Sequence, residues 1–120
     1  MRVVPAHSLG MIRIDAVWLA RDPLDMRAGM NTALARVVQV FGAAHPHHAY
    51  VFTNRRCNRL KVFVHDGLGV WLASRRLNRG TFVWNHNVGP SYSISTEQLA
   101  ILVMGLPWNH IGNAGVIRII

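Results

Sequence analysis

Acidic side chains are scarce in this chain: five Asp and Glu stand against thirteen Lys and Arg, a formal net charge of +8. Two-metal phosphoryl transfer needs several convergent carboxylates. Asp15, Asp22, Asp25, Asp66 and Glu97 are too few to supply them easily, and Asp22 and Asp66 already read as a helix cap and a turn residue. Cysteine is limited to Cys57, which excludes an internal disulfide and a disulfide-stapled secreted fold. Its neighbours Arg55, Arg56 and Arg59 are basic, but no general base to activate a thiol is evident in the sequence, so it reads as an incidental thiol. No apolar run approaches the ~20 residues of a membrane-spanning helix. Pro5, His7 and Ser8 interrupt the N-terminal apolar residues where a signal peptide keeps an unbroken core. A cytoplasmic location without membrane contact is the expectation. Walker loops, dinucleotide-binding glycine turns and Ser/His/Asp signatures are missing too. His45, His47 and His48 have no cysteine or carboxylate close in sequence to complete a metal site, so they read as a solvent-exposed loop. The chain is expected to be no enzyme, with no cofactor and no metal.

What is present is apolar and cationic. With 51% hydrophobic and 15% charged residues the chain has the means to fold, and 120 residues make one domain. Met1–Gly10 shows no periodicity and reads as a flexible extension, with the domain over residues 11–120 and Met11 a candidate start. Ile12, Ile14, Ala16 and Trp18 fit one face of a strand. Asp22-Pro23 has the look of a helix N-cap with proline at the first helical position. Leu34, Val37, Val38 and Phe41 fall at i, i+3, i+4 and i+7 and predict a helix over Asn31–Phe41, closed by Gly42. Ala49–Thr53, Leu60–His65, Gly69–Arg75 and Thr81–Trp84 read as strands. Ser95 and Gln98 have capping-box spacing ahead of a helix over Thr96–Met104, and Val116–Ile120 fits an edge strand. The sum is an α+β fold: an antiparallel meander of about four or five strands with two main helices packed on one face.

Twelve of the thirteen basic residues are arginine, whose planar fork suits phosphates and base edges. Seven of the thirteen crowd into Asn54–Trp84: Arg55, Arg56, Arg59, Lys61, Arg75, Arg76 and Arg79, with Asp66 the lone acid among them. Two alternating runs joined across Asp66-Gly67 predict a hairpin with a tight turn. Antiparallel pairing brings Arg55-Arg56 toward Arg75-Arg76 at the end far from that turn. Like charges that close repel, so the cluster calls for an anion, and a phosphate-binding patch on nucleic acid is the functional reading. Arginines guarding a sheet edge against aggregation are the plainer one. Trp71, Phe82 and Trp84 lie near enough in sequence to stack on bases, although alternating aromatic positions in strands more often belong to a core. No helix-turn-helix, zinc-finger or ribonucleoprotein signature is present. Asp25-Met26-Arg27 reads as an internal anchor, the acid toward backbone amides and the base toward a carboxylate.

These residues, in order, carry a resemblance. Asp25-Met26-Arg27-x-Gly29, Asn54-Arg55-Arg56-x-Asn58-Arg59-x-Lys61, Asp66-Gly67-x-Gly69-x-Trp71-Leu72, Arg76-Leu77-x-x-Gly80-x-Phe82-x-Trp84 and Leu106-x-Trp108 resemble the accessory TnpB (second reading frame) family of the insertion-sequence group numbered sixty-six. The chain does not resemble the longer RNA-guided nuclease that shares those letters. The resemblance implies a small non-catalytic protein encoded beside a DDE-type transposase and needed for efficient transposition. It highlights Asp25, Arg27, Asp66, Gly67, Gly80 and Trp84 as structural or interaction residues, alongside Arg55, Arg56, Arg59, Lys61 and Arg76. Asn85 replaces the proline usual after Phe-x-Trp, His65 an aromatic before Asp66, and Cys57 a polar or small residue. Expected partners are DNA and the transposase with other proteins of the same element, self-association being open. The alternative is a module that docks on the transposase and never touches DNA, with Trp71, Trp84 or Trp108 as anchors.

Overall fold

Two-residue alternation through the middle of the chain builds a sheet that is apolar on both faces. The computed structural model describes residues 2–5, 12–86 and 89–110. In chain order the elements are β1 (Arg2–Pro5), β2 (Ala16–Ala20), α1 (Met30–Phe41), β3 (His48–Thr53), β4 (Arg59–His65), β5 (Val70–Arg76), β6 (Ser91–Ile94) and α2 (Thr96–Leu102), with a 3-10 turn at Trp108–His110. The strands form one sheet in the order β1-β5-β4-β3-β2-β6.

The meander β3–β4–β5 is antiparallel, with Val51 opposite Val62 and Val62 opposite Ala73. The sheet as a whole is mixed, not purely antiparallel. β2 runs parallel to β3 because α1 carries the chain back between them, and β1 runs parallel to β5. β6 closes the other edge antiparallel to β2.

Val17, Leu19, Val51, Leu60, Val62 and Ala73 point to one face, where Leu99 and Leu102 of α2 cover them together with Phe82, Trp84 and Trp108. Ala20, Tyr50, Phe52, Phe63 and Leu72 point to the other, under Ala33 and Val37 of α1 and Leu24 and Ala28 of the preceding segment. The helices therefore lie on opposite faces rather than one. Strands with apolar side chains on both sides need cover on both.

Local readings shift for similar reasons. β2 is shorter than expected and buries Val17 and Leu19, with Trp18 on the opposite side and Ile12 and Ile14 before the strand. Asp22-Pro23 starts no helix; α1 begins after Gly29, without a side-chain cap. Its buried stripe is Ala33 and Val37, leaving Leu34 and Val38 39% and 46% exposed. Gly42 ends it in the left-handed conformation (φ 85°), its amide donating to the Val38 carbonyl. The Ser95–Gln98 capping box forms in both directions. Thr81–Trp84 is extended but pairs into no strand; it lies across the sheet face, with Phe82 and Trp84 buried. Within the segment read as a flexible extension, Arg2–Pro5 pairs with the sheet as β1. The strand expected at Val116–Ile120 lies outside the described residues.

Candidate nucleic-acid interface

Residues 54–58 link β3 to β4, and Asn54 organises them. Its Oδ1 accepts from the backbone amides of Asn58 and Arg59, each at 3.0 Å, while its Nδ2 donates to Asn58 Oδ1 at 2.7 Å. This is the backbone mimicry that suits Asn to turns. Cys57 sits at φ 55°, an uncommon conformation for a residue with a side chain, and its carbonyl accepts from the Phe82 amide at 2.6 Å. The Asn58 carbonyl accepts from the Leu77 amide at 2.9 Å. Tied at both ends, the loop leaves Arg55 and Arg56 exposed at its tip.

Beside it runs the segment before α1, pinned where the Leu24 amide donates to the Thr53 carbonyl at 2.9 Å. Asp25 folds this segment into a turn. Its carboxylate accepts from the Arg27 amide at 2.9 Å and from Arg27 Nε and Nη2 at 3.2 and 2.9 Å. Those bonds favour the anion and hold the Asp25 carboxyl down at about 2. The same pairing raises Arg27 above the ordinary guanidinium value. Lys61 completes the frame, its ammonium donating to the Ala28 carbonyl at 2.7 Å. Burial lowers the Lys61 pKa, partly opposed by Asp25.

Between the two segments opens a cleft of about 630 Å³, lined by Asp25, Arg27, Arg55, Arg56, Arg59 and Arg76, with Pro23, Leu24 and Met26 as its apolar part and Asn54 and Asn58 behind. Arg59 and Arg76 are direct cross-strand partners on β4 and β5. A smaller hollow of about 190 Å³ continues past Met26 to Lys61, Ser74 and Arg75. The ion pairs of the described residues are all between sequence neighbours: Arg13–Asp15, Arg21–Asp22 and Arg27–Asp25. None of them neutralises Arg55, Arg56, Arg59 or Arg76.

Of the seven basic candidates, the fold thus gathers Arg55, Arg56, Arg59 and Arg76 around one cleft. Lys61 is a half-buried tether, Arg75 takes the alternate β5 position opposite Leu60, and Arg79 stands exposed outside the cleft lining. Asp66 and Gly67 are at the far end of the hairpin. There Asp66 Oδ1 accepts from the Leu68 and Gly69 amides at 3.0 and 2.9 Å, and Oδ2 from Trp71 Nε1 at 3.3 Å. These bonds, led by that from Gly69, lower the Asp66 pKa. Residues 66–69 form the turn, and of the pair only Gly67 has positive φ (85°), so Asp66 contributes its carboxylate instead. Gly80 also takes positive φ (74°), in the loop leaving β5.

Trp84 is 8% exposed and donates to the Ala20 carbonyl; Trp108 is 5% exposed and donates to the Val83 carbonyl. Both hold the core together and neither is an exposed anchor. Sequence reasoning left Asn54 and Asn58 without a role of their own; two asparagines four apart in a strand-to-strand connection were the signal. Among the described residues no group of three or more His, Cys, Asp or Glu is placed to hold a metal ion, and no helix is long and apolar enough to cross a membrane.

The chain is similar to known proteins. Residues 15–113 match the family described as IS66 Orf2 like protein. An uncharacterized protein of Sinorhizobium fredii, y4hO, is 38% identical over 96 residues, covering 78% of this chain and 83% of its own length. A second from that organism, y4jC, is 32% identical over 104 residues, covering 85% of this chain and 88% of its own. No solved structure matches. The chain belongs to the IS66 Orf2-like (TnpB) family of insertion-sequence accessory proteins.

Proposed function

We propose that this protein is a non-catalytic accessory factor of insertion-sequence transposition that binds DNA through the arginine cleft and so assists a separate DDE transposase. The observation that carries the reading is the charge of the cleft, where Arg55, Arg56, Arg59 and Arg76 lie together with no acid of the described residues paired to them. Guanidinium forks left open in this way suit phosphate oxygens, which they bind bidentately. The test is a salt titration of binding to duplex DNA from the element ends. Each neutralised phosphate contributes roughly −0.9 to the slope of log affinity against log salt, so four contacts give about −3 to −4. The Arg55→Ala, Arg56→Ala, Arg59→Ala triple variant flattens that slope to about −1. Salt-independent binding, or a triple variant that binds like the parent, contradicts the reading.

A second reading has its own support: Leu34 and Val38 stand one helical turn apart and exposed on α1. On that reading the protein docks on the transposase through apolar contacts without touching DNA. Co-purification of the two separately expressed proteins after nuclease treatment supports it, and a pull-down abolished by nuclease removes it.

A further inference from the structure

The shape of the cleft narrows the ligand beyond DNA in general, on the reading that DNA is bound at all. We propose that Arg59 and Arg76 of the cleft seat one terminal phosphomonoester of a DNA strand, while Arg55 and Arg56 at the exposed tip meet phosphates of the adjoining duplex.

The first observation is concavity. A hollow of about 630 Å³ lies within the roughly 300–1,000 Å³ range of small-ligand pockets. The rigid side of a duplex spreads its phosphates along a line and reaches the rim of such a hollow, whereas a strand end enters it.

Charge is the second. Among the described residues five arginines and one aspartate line the cleft, leaving four positive charges in excess in a single hollow. An internal phosphodiester brings one negative charge, while a phosphomonoester brings about −1.5 to −2 near neutral pH and three strong acceptor oxygens. Arg59 and Arg76, side by side across β4 and β5, can present two forks to those oxygens. Asp25 is already occupied by Arg27 at 2.9 Å, so its carboxylate holds the wall of the cleft rather than filling it.

The third is the absence of a stacking platform: among the described residues no aromatic side chain lines the cleft. Grooves that track single strands combine cationic residues with aromatic rings on which bases stack. Here Pro23, Leu24 and Met26 are the apolar part of the lining, and none of them offers an aromatic ring on which a base stacks. The phosphate is therefore the recognised group, and its source is a broken strand.

Fluorescence anisotropy with the full chain tests this. Three duplexes of one sequence are compared: phosphorylated ends, hydroxyl ends, and closed hairpin ends without termini. Phosphorylated ends are expected to bind about tenfold tighter than the other two, the equivalent of one good charge-assisted contact. Millimolar inorganic phosphate should compete only weakly against them. The Arg59→Ala, Arg76→Ala double variant should lose the preference. Arg59→Lys, Arg76→Lys keeps the charge, removes the forks, and should also lose the preference while retaining salt-dependent binding. Equal, salt-dependent affinity for all three duplexes overturns the monoester seat and leaves DNA binding intact. Absence of binding to every duplex overturns both. Inorganic phosphate that displaces strand ends at equal concentration assigns the cleft to free phosphate and overturns the strand-end proposal.

Discussion

The two ends of the β4–β5 hairpin are built on opposite principles. At the turn, the Asp66 carboxylate is answered from within five residues, by the amides of Leu68 and Gly69 and the Trp71 indole. At the other end the loop amides of Asn58 and Arg59 are likewise satisfied, by Asn54, yet no acid among the described residues pairs with the arginines it displays. On the proposed reading, a loop tied down that firmly displays its charged tips to an anion outside the chain.

The largest expected effect comes from the cationic end. The Arg55, Arg56, Arg59 triple alanine variant should lose on the order of 100-fold in DNA affinity at low salt, at about 1 kcal/mol per contact, with little change in melting temperature. Removing the frame in place of the forks gives an intermediate result. Asn54→Ala deletes three hydrogen bonds of the loop and should cost about 1–2 kcal/mol in denaturant unfolding, with DNA affinity falling as the tip loosens. Gly67→Ala forces a side chain onto φ 85° at the turn and should cost about 1 kcal/mol, with DNA affinity untouched. If Gly67→Ala weakens DNA as much as Asn54→Ala, the two ends are not separate devices.

The smallest effect concerns pH. Asp25 titrates at about 2 because it is bonded to Arg27, below its ordinary value. A carboxyl depressed on folding stabilises the fold above its unfolded pKa, and that contribution disappears as pH falls through the folded one. The loss therefore belongs to the window between about 4 and about 2. Carbon-detected NMR should place the Asp25 midpoint at the low end, and Arg27→Ala should return it toward the ordinary carboxylate value.

Much of the sheet was legible because its signals are local. The alternation of Leu60, Val62 and Val64 against Phe63, the Asp66-Gly67 turn, Gly42 and the Ser95–Gln98 box each depend on a few neighbouring residues. The parallel pairing of β2 with β3 depends on where α1 lands, which no short window reports. Residues 81–84 alternate because an extended segment lying on a sheet buries every second side chain just as a strand does. Asp22-Pro23 imitates a cap, but the Leu24 amide donates to Thr53, and that tertiary bond outweighs the local preference. In the cleft, the arginines were evident from the sequence. Their union with Asp25-Met26-Arg27 was not, since that turn meets the Asn54 loop only through the sheet.

The most direct measurement is an NMR titration of the chain with DNA from the element ends, following arginine side-chain Nε–H signals and backbone amides together. The account predicts shifts for Arg55, Arg56, Arg59 and Arg76, with Leu68 and Gly69 at the turn unmoved. Silent arginines, with shifts instead at the Asp66 turn or at Leu34 and Val38 on α1, would contradict it.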